Sequence, residues 1–147
     1  MRYRIDGRYP IVIKYDMSIE QMIEVGMYDH IDSAYERVNF QIQQSGEVPL
    51  EALIISFDRV LDFDLAIKEI RLARRRAGEI CEILSFGAQY PDVQRDFNIN
   101  ALGTLVEIDD KEHYPVINQY YSRKRRGLYL NACNNGKLTI GNRFLVF

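Results

Sequence analysis

Ala52-Leu53-Ile54-Ile55-Ser56-Phe57 is a nearly unbroken apolar run. A strand with one wet face alternates apolar and polar residues, so a run without alternation reads as a central strand covered on both faces. Such a strand requires a core of real size. The 147 residues, 47% of them hydrophobic with 9 Gly and 4 Pro, are enough for one compact domain and exclude collagen-like, low-complexity or largely disordered chains.

Around that strand the pattern predicts α+β architecture. Pro10-Ile11-Val12-Ile13-Lys14-Tyr15 is β-branched and aromatic and reads as a short strand. Ile19, Met22, Ile23 and Gly26 recur at helical spacing behind Ser18 or Asp16 as cap. Phe63, Ala66, Ile67, Ile70, Ala73 and Ala77 line one side of a helix opened by Asp62 or Asp64 and ended by Gly78. A second helix runs over about residues 79–86, with Ile80, Ile83 and Leu84 inward. These two helices are expected as a pair on one face of a mostly antiparallel sheet. Phe97, Ile99 and Ala101 alternate, Leu105 to Ile108 follow, and Leu128, Leu130 and Ala132 alternate before Asn135-Gly136, a tight-turn dipeptide. Residues 137–140 are then the return strand and Arg143-Phe144-Leu145-Val146-Phe147 a last, buried strand, together a C-terminal β-meander. The polar stretch over 41–49, with Gly46 and Pro49, is the one soft loop of a single domain spanning 1–147.

Leu84-Ser85-Phe86-Gly87-Ala88-Gln89-Tyr90-Pro91-Asp92-Val93-Gln94-Arg95-Asp96-Phe97, continuing to Ala101-Leu102-Gly103, resembles a segment of a family of small uncharacterised bacterial proteins. The shared pattern is Phe-Gly-Ala, Tyr-Pro, Gln-Arg and Phe, then Ala-Leu-Gly and a β-rich end. The similarity extends back through the helix at 64–77 and forward to the aromatic-Leu-Val finish. It implies an architecture and a bacterial setting, and it brings no activity, cofactor or binding residue with it.

Charge and cysteine content narrow the function classes. Nineteen Lys and Arg against 21 Asp and Glu give a net charge of −2, which excludes a globally basic nucleic-acid binder. Two cysteines, Cys81 and Cys133, make no disulfide framework, Met1 to Asp6 has no apolar leader, and no stretch approaches the roughly 20 apolar residues of a membrane span. A cytoplasmic protein without membrane contact is expected.

Candidate chemistry is sparse. Cys81, Cys133, His30 and His113 lack metal-ligand spacing, and neither histidine sits in a nucleophile motif, so no metal, cofactor or catalytic residue is predicted. Pro91-Asp92 followed by Asp109-Asp110-Lys111 weakly resembles the carboxylate–lysine pattern of Mg²⁺-dependent nucleases, although a cap and a solvated turn explain the same residues. Arg71, Arg74, Arg75 and Arg76 suit a helix C-terminus, where cations meet free carbonyls. Arg123-Lys124-Arg125-Arg126, preceded by Tyr120 and Tyr121, has no such local explanation. These six residues form the candidate partner-binding site. A charged hairpin turn that discourages edge association is the plain alternative. Ten tyrosines, with Tyr28, Tyr35, Tyr114, Tyr120 and Tyr121 near predicted loops, favour a binding surface over catalysis. The expectation is therefore a non-enzymatic interaction module that docks on a protein partner, in an accessory or inhibitory role in a bacterium or mobile element. Nucleic acid bound by the basic hairpin comes second and a Mg²⁺-dependent nuclease third. The oligomeric state is not written in these patterns.

Overall fold

The computed structural model describes residues 3–134 and 136–147. The chain is α+β, and among its described residues the strands form an eight-stranded mixed sheet. They are β1 (Tyr3–Lys14), β2 (His30–Ile31), β3 (Glu47–Phe57), β4 (Ile99–Asn100), β5 (Val106–Ile108), β6 (Lys111–Tyr120), β7 (Ser122–Ala132) and β8 (Arg143–Val146). Their order is β1-β3-β8-β4-β6-β7-β2, with β5 paired to β6; all pairs are antiparallel except β4 with β8 and β2 with β7. Among the described residues three α-helices complete it: α1 (Ile19–Gly26), α2 (Phe63–Leu72) and α3 (Ile80–Gln89).

The apolar run at 52–57 lies inside the sheet, as its pattern requires. Ala52 and Ile54 join one core with Ile13, Ile117, Leu128 and Leu145, while Leu53, Ile55 and Phe57 join another with Val116, Phe144 and Val146. The two cores are the two faces of one sheet. Pro49 belongs to β3 rather than to a loop. Its missing N–H costs no ladder bond: Val12, its partner on β1, turns both its N–H and its C=O outward to Gln89, so the Val12–Pro49 pair is a non-hydrogen-bonded one, and on the other side the described β8 pairs only Leu53 to Ile55.

Both expected helices form, yet they do not pack as a pair on one face. Ala66 and Ile70 of α2 bury against the Leu53 face, whereas α3 lies with α1 on the Ile54 face. The connector explains the separation. Arg76 exchanges two backbone hydrogen bonds with Phe147, each 2.9 Å, and Gly78 donates to the Leu145 carbonyl at 2.8 Å. Residues 76–78 thus lie in the plane of the sheet beside β8, and the chain passes from one face to the other through it. The same pairing stops α2 at Leu72 instead of Ala77. Arg75 N–H closes on the Ile70 carbonyl at 3.1 Å, and Arg74 takes the left-handed conformation (φ 58°) that glycine ordinarily fills at a helix end.

Helix starts follow their caps. Ser18 Oγ accepts from Gln21 N–H at 3.1 Å while Gln21 Oε1 accepts from Ser18 N–H at 2.9 Å, and Asp62 Oδ1 accepts from Leu65 N–H at 2.8 Å. Residues Ile80 to Gly87 of α3 are all buried, because α1 covers the side that the three-residue inward set leaves open.

The C-terminal meander is only partly realised. β5, β6 and β7 are consecutive antiparallel neighbours, but residues 137–140 do not return beside β7: Leu138 bridges Leu61, and β8 inserts between β3 and β4. Asn135 of the expected turn lies outside the described residues, and Gly136 has φ 90°. No described helix is long and apolar enough to cross a membrane.

Candidate functional site

The six candidate residues lie at the β6–β7 hairpin, and its register separates them. Gln119 opposes Arg126 and Tyr120 opposes Ser122, so Arg123, Lys124 and Arg125 have no partner on β6 and form a bulge. A bulge re-aims side chains that a regular ladder would hold flat. Tyr121, alone between the paired Tyr120 and Ser122, has φ 63° and is 92% exposed. A positive φ at a bulky residue carries a backbone cost of about 1–3 kcal/mol, sustained only where the surroundings impose it.

Behind Tyr121 stands a ledge of aromatic rings. Tyr120 stacks on His30 with centroids 4.3 Å apart and planes 8° from parallel, and Tyr121 meets Tyr120 edge-on at 4.6 Å. His30 also contacts Tyr129 at 5.6 Å, and the Tyr129 hydroxyl donates to the Gln119 carbonyl at 3.0 Å. His30 reaches this place because β2 docks parallel to β7. Asp29 N–H donates to the Arg126 carbonyl (2.8 Å), the Asp29 carboxylate accepts from Arg126 N–H (2.7 Å), and Asp32 N–H donates to the Leu128 carbonyl (2.9 Å).

The four basic residues take three different roles. Arg123 is ion-paired with Asp96 at 2.6 Å, and its carbonyl accepts from Arg95, whose Nε reaches Asp92 at 3.0 Å. Lys124 and Arg125 are exposed and, among the described residues, have no carboxylate within 4.0 Å. Arg126, expected on the binding surface, is interior at 3% exposure. Its Nη1 donates to the Gly26 carbonyl and its Nη2 to the Gly87 carbonyl, both at 2.6 Å, its Nε donates to Gln94 Oε1 at 3.1 Å, and its guanidinium lies 4.7 Å over the Tyr28 ring. Burial pulls this guanidinium below its ordinary pKa, and among the described residues no carboxylate side chain forms an ion pair with it. Arg126 is a strut joining the end of α1, the α3 backbone and β7.

The segment from Phe86 to Phe97 holds this strut and the hairpin. Gly87 lies so close to Tyr28 that a Cβ would collide with its hydroxyl. Gln94, fully buried, donates to the Asn118 and Gly127 carbonyls at 2.9 and 3.0 Å while accepting from Arg126. Tyr90 donates to the Pro10 carbonyl at 2.6 Å. The Gln89 side-chain amide both accepts from and donates to the Val12 backbone, at 3.0 and 2.7 Å, so it occupies the outer edge of β1 as a neighbouring strand would.

Of the five tyrosines expected near loops, Tyr120 and Tyr121 come together at the tip. Tyr28, Tyr35 and Tyr114 are instead buried, with Tyr35 donating to the Tyr129 carbonyl at 3.0 Å and Tyr114 stacked on Phe63 at 5.7 Å. Sequence reasoning missed His30, Asp29 and Gln94. All three act on partners between 24 and 97 residues away, and none has a local signal beyond the polarity of its surroundings.

The nuclease carboxylates stay apart. Asp92 belongs to the Arg95–Arg123 group at the Tyr120 end of β6, whereas Asp109 and Asp110 sit at the Lys111 end. Nine strand steps at about 3.4 Å separate these ends by roughly 30 Å. Asp109 and Asp110, both at positive φ (52° and 64°) between the paired Ile108 and Lys111, make a two-residue hairpin turn, and Arg37 holds Asp109 at 2.7 Å and lowers its carboxyl pKa. Among the described residues no three His, Cys, Asp or Glu side chains cluster as metal ligands. Burial, reinforced by nearby carboxylates, pushes the Cys81 and Cys133 thiols up to about 11, the opposite of an activated nucleophile. Comparison with family models, curated proteins and solved structures finds no match to this chain.

Proposed function

We propose that this chain is a non-enzymatic interaction module that docks on a protein partner through the tip of the β6–β7 hairpin. The observation that carries the reading is Tyr121: a 92% exposed ring, on a backbone at φ 63°, set against the Tyr120–His30 stack. A tyrosine already positioned by its neighbours loses little side-chain freedom on binding, and tyrosine and arginine dominate the energetics of protein interfaces. Lys124 and Arg125 stand beside it as uncompensated cations, suited to carboxylates on the partner.

Nucleic acid is the second reading, favoured by the same pair of cations beside stackable rings. Magnitude ranks it lower. Two phosphate contacts release about two counterions, which supports only weak binding, and a net charge of −2 opposes a polyanion. An accessory or inhibitory role in a bacterium or mobile element rests on the family resemblance.

The test compares capture by the intact chain and by a Tyr121→Ser, Lys124→Gln, Arg125→Gln variant, over a salt series with nuclease-treated and untreated extracts. The reading expects a protein retained by the intact chain alone, insensitive to nuclease. Equal retention by the variant refutes it, and retention that disappears with nuclease and falls steeply with salt transfers it to nucleic acid.

A further inference from the structure

The second basic cluster is not used by the hairpin, and α2 gives it a setting. Because α3 lies across the sheet, α2 is the only described α-helix on its face, with no described helix beside either flank. Ala66 and Ile70 press on the sheet, while Phe63 and Ile67, one turn apart on the same stripe, are only half-buried. They face a cleft of about 500 Å³, floored by Ile70, Leu102 and Leu105 and within the size range of small-ligand sites. At 43% exposure, Leu105 is an apolar wall left open to solvent.

Arg71, Arg75 and Arg76 line the rim together with Glu79. Arg76 is committed: it holds the buried Glu82 carboxylate through two hydrogen bonds at 2.8 and 2.6 Å and covers the Phe147 ring. Glu79 accepts from Gln44 at 3.2 Å. Arg71 and Arg75 have no carboxylate within 4.0 Å among the described residues, and Arg75 is half-buried. The left-handed turn at Arg74 brings Arg75 back against the helix end, closing its N–H on the Ile70 carbonyl at 3.1 Å. An apolar floor under two uncompensated guanidiniums is complementary to one kind of small molecule.

We propose that this cleft binds a small amphipathic anion: an apolar chain or ring seated on Phe63, Ile67, Ile70, Leu102 and Leu105, with one carboxylate held by Arg71 and Arg75. Guanidinium matches carboxylate with two parallel N–H donors, and the apolar body takes over contacts now made by water. The site is built from elements separate from the hairpin and stands or falls independently of it.

The test is titration with decanoate, followed by methyl resonances of Ile67, Ile70, Leu102 and Leu105, with acetate and decyltrimethylammonium as head-only and reversed-charge probes. The proposal expects saturable decanoate shifts confined to these methyls and at least about tenfold weaker binding of both controls. Arg71→Gln with Arg75→Gln, both on the rim, weakens decanoate about tenfold with the unliganded spectrum retained. Ile67→Trp, which fills the cleft, abolishes uptake. No saturation below about 1 mM decanoate, equal binding of the cationic probe, or unchanged affinity in both variants overturns it.

Discussion

Replacing Arg126 by alanine should cost far more than replacing any other member of its basic run. The deletion leaves three buried acceptors without donors: the Gly26 and Gly87 carbonyls, each at 2.6 Å from the guanidinium, and Gln94 Oε1 at 3.1 Å. A buried polar group stripped of its partner costs about 1–3 kcal/mol, and Gly26 is also the last residue of α1, where a cation meets the negative end of the helix. Against this, the folded state no longer bears the desolvation of the guanidinium, an opposing term of several kcal/mol. The net expectation is a loss of about 3 kcal/mol. In urea unfolding with a slope of about 2 kcal/mol/M, the midpoint falls by about 1.5 M with the slope unchanged. Lys124→Ala and Arg125→Ala, at exposed positions without partners, stay within about 0.5 kcal/mol of the parent. Arg126→Lys falls between, since an ammonium cannot span three acceptors arranged for a planar fork. A loss below about 1 kcal/mol for Arg126→Ala, or a comparable loss for Lys124→Ala, refutes the strut.

Three further outcomes follow from other contacts. With thiols raised from 9.0 to about 11, Cys81 and Cys133 hold about 100-fold less thiolate near pH 8 than in the unfolded chain; the greater nucleophilicity of a higher-pKa thiolate recovers about tenfold, so native labelling by a disulfide reagent is at least about tenfold slower than in the unfolded chain, and equally rapid native labelling contradicts it. Arg74→Gly relieves the left-handed strain at the end of α2 and raises stability by about 1 kcal/mol, read as a higher melting temperature, whereas a loss places the helix end elsewhere. Gln89→Ala uncovers the Val12 backbone on the edge of β1 and promotes concentration-dependent association, measured by light scattering on a sizing column; a strictly monomer-like profile identical to the parent contradicts the edge role.

Local chemistry made parts of this fold legible. Ser18 and Asp62 mark helix starts because an N-cap is a contact within three residues, and 52–57 declares its two covered faces by lacking alternation. The end of α2 is not legible, since the apolar stripe runs on through Ala77 and only pairing with Leu145 and Phe147, some 70 residues later, pulls residues 76–78 out of the helix. That pairing also sends α3 to the opposite face. At the candidate site the sequence displays four equivalent cations. Register and distant partners distinguish them: the bulge frees Lys124 and Arg125, Asp96 engages Arg123, and docking of β2 beside Gly127 drives Arg126 inward. His30 was invisible because its aromatic partner, Tyr120, is 90 residues away in sequence.

A photo-crosslinking side chain introduced at Tyr121 tests the binding surface most directly, compared with the same group at Glu20 on α1 and at the exposed Leu72 of α2. The hairpin account predicts a discrete protein adduct from position 121 in host extract and none from the other two, with the adduct lost when Lys124→Gln and Arg125→Gln are added. Equal adducts from all three positions, or a specific adduct from Glu20 or Leu72 alone, contradict it.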